Sequence, residues 1–233
     1  MKPASQNTIA QNIKSIKSLI HDAEKKYGRT SGSVQLLAVS KTRPKEDIYA
    51  AFGENQQHFG ENYLQDALSK IEEMKEASIE WHFIGPIQSN KTRQIAENFQ
   101  WVHTIDRLKI AQRLSEQRDS TQNPLNVCIQ VNVSGEASKS GVAPEETLSL
   151  AKQISELPNI QLRGLMTIPA SNDDFEEQRK PFQLLRKLKD EIQSQGIKLD
   201  TLSMGMSNDM EAAIAEGSTI VRIGTAIFGA RNV

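Results

Sequence analysis

The sequence carries a single cysteine, Cys128, in 233 residues. One thiol excludes an internal disulfide framework and any metal site built from several cysteines, and it fits a reducing compartment. Cys128 sits in the apolar run NVCIQVNV, where inert strand packing is expected. A charge excess of either sign is also missing: 28 basic residues face 29 acidic ones, for a net charge of -1. That balance argues against a nucleic-acid stripe and a polybasic membrane patch, leaving a small molecule as the expected partner. No stretch reaches the roughly 18 apolar residues of a membrane span. The N-terminus lacks the charged, apolar and small-residue order of a secretory signal. A soluble cytoplasmic protein is therefore expected. Linkers rich in Pro, Gly or Ser are absent as well, so residues 1–233 are read as one domain.

What is present is alternation. Ile9, Ile13, Ile16, Ile20, Ala23 and Tyr27 recur at spacings of four and three, one apolar face of a helix. From Leu36 onward, strand-like runs alternate with amphipathic segments: LLAVSK, HFGEN, EWHFIGP, WVHTID, NVCIQVNV, IQLRGLMTIP, LDTLSMGMS and STIVRIGTAIFG. Pro44 and Pro144 suit first helical turns, Asn208 with Glu211 resembles a capping box, and Gly53 and Gly217 suit helix ends. Eight strands separated by helices in a chain of this size predict an α/β fold, a single (β/α)8 TIM barrel with an extra N-terminal helix. An open doubly wound sheet is the alternative.

Barrels of this kind carry their chemistry at the C-terminal ends of the strands. Strand one is predicted to end at Lys41, strand two at Asn62, and strand three carries His82. Strand six contributes Met166, strand seven Ser203 and Ser207, and strand eight Arg222, Gly224 and Thr225. By the period of two, Ser203, Gly205 and Ser207 are expected to face the same way, as are Arg222 and Gly224. Glycine at a phosphate site lets backbone N–H groups approach the ligand, and Ser207 and Thr225 add hydroxyl donors. An amine and a phosphate pocket across one barrel mouth are what pyridoxal 5′-phosphate requires, its aldehyde meeting the lysine and its phosphate anchoring the far end. His82 and His103 read as core or hydrogen-bonded histidines, and no cluster has metal-ligand spacing, so no metal is expected. Lys139, in the polar segment SGEASKSG, reads as a loop lysine, with a second aldehyde-reactive amine as the alternative.

At these residues the sequence resembles a known family. LLAVSKTRP, HFGENYLQDA, WHFIGPIQSNK, LMTIP, LSMGMSNDMEAAI and VRIGTAIFGAR, six motifs from about Leu36 to Arg231, look like those of the pyridoxal phosphate homeostasis proteins, whose barrel is similar to the alanine racemase N-terminal domain. The resemblance implies that Lys41 carries the cofactor as a Schiff base and that Ser207, Gly224 and Thr225 hold its phosphate. It further implies Arg222 beside the pyridine nitrogen, and Asn62, His82, Met166 and Ser203 around the ring. Alanine racemase adds a C-terminal β domain, for which a chain ending at Val233 leaves no room. The three tyrosines, Tyr27, Tyr49 and Tyr63, fall on helical segments, where a second catalytic base is hard to build. The expectation is a non-catalytic carrier that hands the cofactor to apo-enzymes. A slow amino-acid racemase is the alternative, and a regulatory module acting through protein partners is a third class.

Overall fold

In the computed structural model, which describes residues 8–136 and 139–230, the amphipathic N-terminal segment becomes α1 (Ile9–Lys26). Ala137 and Ser138 of the polar segment, and Arg231 at the end of the last motif, lie outside the described residues. Thr8 caps α1 reciprocally with Gln11, each side chain bonding the other's backbone amide. Ile13, Ile16, Ile20 and Ala23 are buried as the spacing predicts, while Ile9 and Tyr27 at the two ends are partly buried against the same core.

The apolar runs form β1 (Gln35–Val39), β2 (His58–Glu61), β3 (Glu80–Phe83), β4 (Trp101–Ile105), β5 (Leu125–Gln130), β6 (Ile160–Met166), β7 (Thr201–Ser203) and β8 (Ile220–Ile223). They pair in chain order, all in parallel, and β8 closes on β1 with Leu37 opposite Arg222. Parallel neighbours require crossovers. These run through α2 (Lys45–Phe52), α3 (Leu64–Glu73), α4 (Thr92–Asn98), α5 (Leu108–Gln117), α6 (Thr147–Ser155), α7 (Phe175–Ser194) and α8 (Met210–Ala215), and the short α9 (Thr225–Phe228) follows β8. The closed eight-stranded barrel is thus the architecture, and the open sheet is not.

Several local details depart from the sequence pattern. Pro44 sits at the N-cap of α2, one residue before its first turn, whereas Pro144 opens a 3-10 turn over Pro144–Glu146 as expected. Asn208 and Glu211 form no capping box. Helix α8 starts at Met210 with Asp209 at its N-cap, and the Glu211 carboxylate accepts from Lys26 Nζ (2.6 Å) and Tyr27 Oη (2.9 Å) on α1. Gly53 is the C-cap of α2, and Gly217 follows the C-cap of α8.

The core has two compartments. Between strands and helices lies a continuous apolar shell that includes Phe59, Phe99 and Phe182, and each such side chain contributes about 1.5–3 kcal/mol by leaving water. Inside the barrel sit two small clusters, Leu37, Ile84 and Ile220 with Val39, and Trp101, Cys128 and Met166. Cys128 is fully buried, which pushes its thiol up to about 12 and keeps it protonated.

Backbones approach closely at Gly164 on β6, opposite Thr201 on β7. A Cβ there would lie 1.8 Å from the Thr201 carbonyl oxygen, and backbone cannot yield as a side chain can. Gly164→Ala is expected to cost at least about 3 kcal/mol, the upper end for overpacking, read as a lower urea midpoint. A midpoint equal to that of the wild type would show that β6 and β7 are free to separate.

Candidate functional site

At the C-terminal ends of the strands the barrel opens into a cavity of about 480 Å³. Seven of the nine residues expected at the site line it: Lys41, Asn62, Met166, Ser207, Arg222, Gly224 and Thr225. Strand β1 ends at Val39, so Lys41 lies two residues beyond it, in the turn closed by the Arg43 amide donating to the Ser40 carbonyl (3.0 Å). The next residue, Thr42, has φ of 62°, a left-handed conformation that a β-branched side chain adopts only under strain of order 1–3 kcal/mol. Below the turn, buried Lys70 Nζ donates to the Ser40 carbonyl (3.0 Å), to Glu61 (2.9 Å) and to Asp66 (2.7 Å). Ser40 Oγ donates to the same Glu61 carboxylate at 2.6 Å. Burial pushes the Glu61 carboxyl up, and Lys70 pulls it back. This network ties β2 and α3 to the turn that carries Lys41.

Two expected residues do not face the cavity. His82 and Ser203 are fully buried beneath it, and the β3 contribution to the wall is Ile84, two residues further along on the same face. Ser203 and Ser207 also part company, although alternation put them on one face. Strand β7 stops at Ser203, and the chain turns through Gly205 at φ of 97°, which leaves Ser203 inside the barrel and Ser207 exposed at the mouth.

The buried pair belongs to a polar line through the barrel. Arg222 Nη1 donates to the Ser203 carbonyl (2.6 Å) and hydroxyl (2.8 Å), and Nη2 donates to the Thr167 carbonyl (2.8 Å). Ser203 Oγ meets His103 Nδ1 at 2.8 Å, His103 Nε2 meets His82 Nδ1 at 2.9 Å, and His82 Nε2 meets His58 Nδ1 at 3.3 Å. Burial lowers Arg222 to about 10, offset by attraction to Asp209, so it is charged at neutral pH. Burial and the Arg222 charge hold His103 at about 3, and burial holds His82 well below its ordinary value, so both are neutral.

Sequence reasoning missed the rest of the wall, including Asp209, Asn172 and the apolar rim of Ile168, Pro169 and Met206. Asp209 stands inside the LSMGMSNDMEAAI motif, so a polar residue just past a strand end was the available signal. Its carboxylate accepts from the Met206 amide at 2.6 Å, and burial raises it above the ordinary value against the pull of that amide and of Arg222. Lys139 does not line the cavity. It pairs with Glu136 at 3.5 Å in the loop after β5.

The depressed histidines set a pH dependence. Unfolded, both take up protons near 6.5, while folded His103 does so only near 3. Below 6.5 the unfolded chain therefore binds more protons than the folded one, and stability is lost as pH falls. The limiting slope is about 1.4 kcal/mol per pH unit for each histidine. The urea midpoint is expected to drop between pH 7 and pH 5, and His103→Gln should make that dependence shallower. An unchanged slope in the variant would remove His103 as its source.

Residues 5–232 match the family described as alanine racemase, N-terminal domain. The pyridoxal phosphate homeostasis protein of Vibrio alginolyticus is 60% identical over 230 residues, covering 97% of this chain and 99% of its own. The structure of PipY from Synechococcus elongatus with PLP bound has a TM-score of 0.84 at 35% identity, over 95% of this chain and 100% of that one. Alanine racemase from Corynebacterium glutamicum, at 18% identity and a TM-score of 0.72, shares the fold over 96% of this chain and 60% of its own. An alanine racemase N-terminal-type barrel found along almost the whole sequence, together with high identity to a full-length relative, places this chain in the pyridoxal phosphate homeostasis protein family.

Proposed function

We propose that the protein binds pyridoxal 5′-phosphate in this cavity, holds it as a Schiff base on Lys41, and supplies it to apo-enzymes in the cytoplasm without catalysing a reaction on it. The observation that carries the reading is one cavity lined both by the Lys41 amine after β1 and by the hydroxyls of Ser207 and Thr225 with the Gly224 backbone after β7 and β8. The PLP-bound PipY structure and the names of the relatives support it.

The residues present suit that group. A Cβ at position 224 would come within 3.3 Å of the Val39 carbonyl oxygen, so a glycine keeps the backbone close to the cavity. In α9 the amides of Ile227 and Phe228 donate to the Gly224 carbonyl, so only those of Thr225 and Ala226 come before the helix's own hydrogen bonds. Asn62 Oδ1 is buried in the wall without a hydrogen-bond partner, an acceptor awaiting a donor. Of the five guanidinium donors, Arg222 uses three on Ser203 and Thr167, which leaves two to meet a ring nitrogen.

When bound, the cofactor would supply an electrophilic aldehyde, and Lys41 would hold it through its amine. Arg222 is a charged donor with no proton to give up at neutral pH, so it holds the ring nitrogen unprotonated and weakens the ring as an electron sink. Among the described residues no tyrosine lines the cavity. Tyr27 is engaged with Glu211 on the outer surface, and Tyr49 and Tyr63 are exposed. The remaining titratable group of the wall, Asp209, is engaged by the Met206 amide. Among the described residues of the wall, a two-base exchange would have only Asp209 to pair with Lys41, which favours the carrier over the racemase.

Borohydride reduction of the loaded protein followed by peptide mapping should place the adduct on Lys41. A label mainly on Lys139 or Lys91 would overturn the assignment. Ser207→Ala should weaken retention of the cofactor by the value of one charge-assisted hydrogen bond, about 1.5–3 kcal/mol or roughly ten- to hundredfold, with the fold intact by circular dichroism. Unchanged affinity would take the hydroxyl out of the phosphate site.

A further inference from the structure

At the opposite, N-terminal end of the barrel, three side chains converge that the sequence keeps apart. His58 opens β2, Glu80 opens β3 directly opposite it, and His82 lies two residues further along β3 on the same face as Glu80. We propose that His58, Glu80 and His82 form a binding site for a divalent transition-metal ion of the zinc class, separate from the cofactor cavity.

Two of the three separations between ligand atoms match those of a tetrahedral site. Zinc bonds to imidazole nitrogen and carboxylate oxygen at about 2.0–2.1 Å, so neighbouring ligand atoms stand about 3.3–3.4 Å apart. His58 Nδ1 lies 3.3 Å from His82 Nε2 and 3.4 Å from Glu80 Oε2, and the ligand atoms of all three residues lie within 4.8 Å of one another. A small swing of Glu80, whose side chain is 37% exposed, closes the remaining edge. Two imidazoles and a carboxylate suit zinc and leave a fourth position for water.

The groups behind the ligands are also in place. Ligation through Nε2 fixes the His82 proton on Nδ1, where it donates to His103 Nε2 at 2.9 Å. Trp101 Nε1 donates to Glu80 Oε1 at 2.6 Å, which leaves Oε2 for the ion, and the Trp101 ring stacks on His82 with ring centres 5.4 Å apart and planes within 6°. Partners of this kind orient metal ligands and raise affinity. All three ligands stand on strands, which hold them more firmly than loops would. Solvent reaches the site through His58 and Glu80, each of which lines a surface depression.

The test is titration of tag-free protein, stripped with a chelator, with Zn²⁺ against a competing colorimetric indicator. One ion per chain is expected, with a rise in melting temperature through mass action. His58→Ala and Glu80→Gln should each weaken binding by at least about tenfold and abolish the melting shift. Both residues are partly exposed, and circular dichroism of the metal-free variants checks that they fold; His58→Asn replaces the first variant if it does not. Absence of saturable binding in the wild type overturns the proposal. So does wild-type affinity in either folded variant, since the ion would then sit elsewhere.

Discussion

A guanidinium brings a charge and five donors with it, and Arg222 takes all of them inside the barrel, where water cannot satisfy them. Burial without compensation would be prohibitive, and the compensation comes from particular atoms: the Thr167 carbonyl after β6 and the carbonyl and hydroxyl of Ser203 at the end of β7. Those acceptors stand on the β6–β7 side of β8, and the pairing of β8 with β1 completes the enclosure around the guanidinium. Charge burial and barrel closure therefore depend on each other. The same requirement explains why Ser203 cannot also serve the cavity, and why the neighbouring imidazole of His103 is held neutral.

From this fixed floor the cavity is built upward in parts of different rigidity. Met166 and Ile84 are buried side chains of the barrel itself, whereas Ser207 and Thr225 are exposed at the mouth. Lys41 stands between, on a turn anchored by the buried Lys70, Glu61 and Asp66 network and followed by a strained Thr42. Strain of this kind persists only where the surroundings over-determine it. Here three hydrogen bonds from one buried ammonium hold the turn. The lysine is positioned by its support more than by its strand.

Much of this was legible in the sequence, and the reasons for the rest are physical. Eight apolar runs alternating with periodic segments gave the barrel, because burial on both faces of a parallel strand leaves few other readings. Lys41, Asn62, Arg222 and Gly224 could be placed at the cavity wall because polar or minimal residues at the ends of apolar runs have no structural need to be there. Alternation reports which way a side chain points but not its depth along the barrel axis, so His82 and Ser203 were expected one layer too high. Nor does it report where a strand stops, which is why Ser203 and Ser207 were grouped across a turn. The cluster of His58, Glu80 and His82 was invisible for a third reason. Its members meet through register between β2 and β3, and no spacing within one segment encodes that.

The polar line also bears on how one small barrel keeps two ends distinct. Between the two apolar clusters of the interior, Ser203, His103, His82 and His58 run from Arg222 to the far surface. Each imidazole has one donor and one acceptor when neutral, so the proton on one nitrogen dictates the role of the next ring. Arg222 can only donate to Ser203 Oγ, and a ligand on His82 Nε2 would require that nitrogen to accept. A fixed charge at the cavity floor and whatever binds at the opposite end thus impose conditions on the same row of hydrogen bonds. An apolar interior of equal volume would be easier to bury and would leave the two ends without any contact. Retaining a row of three histidines, two of them fully buried in the barrel, makes physical sense where the orientation of those hydrogen bonds, and not only their stability, is what the fold must specify.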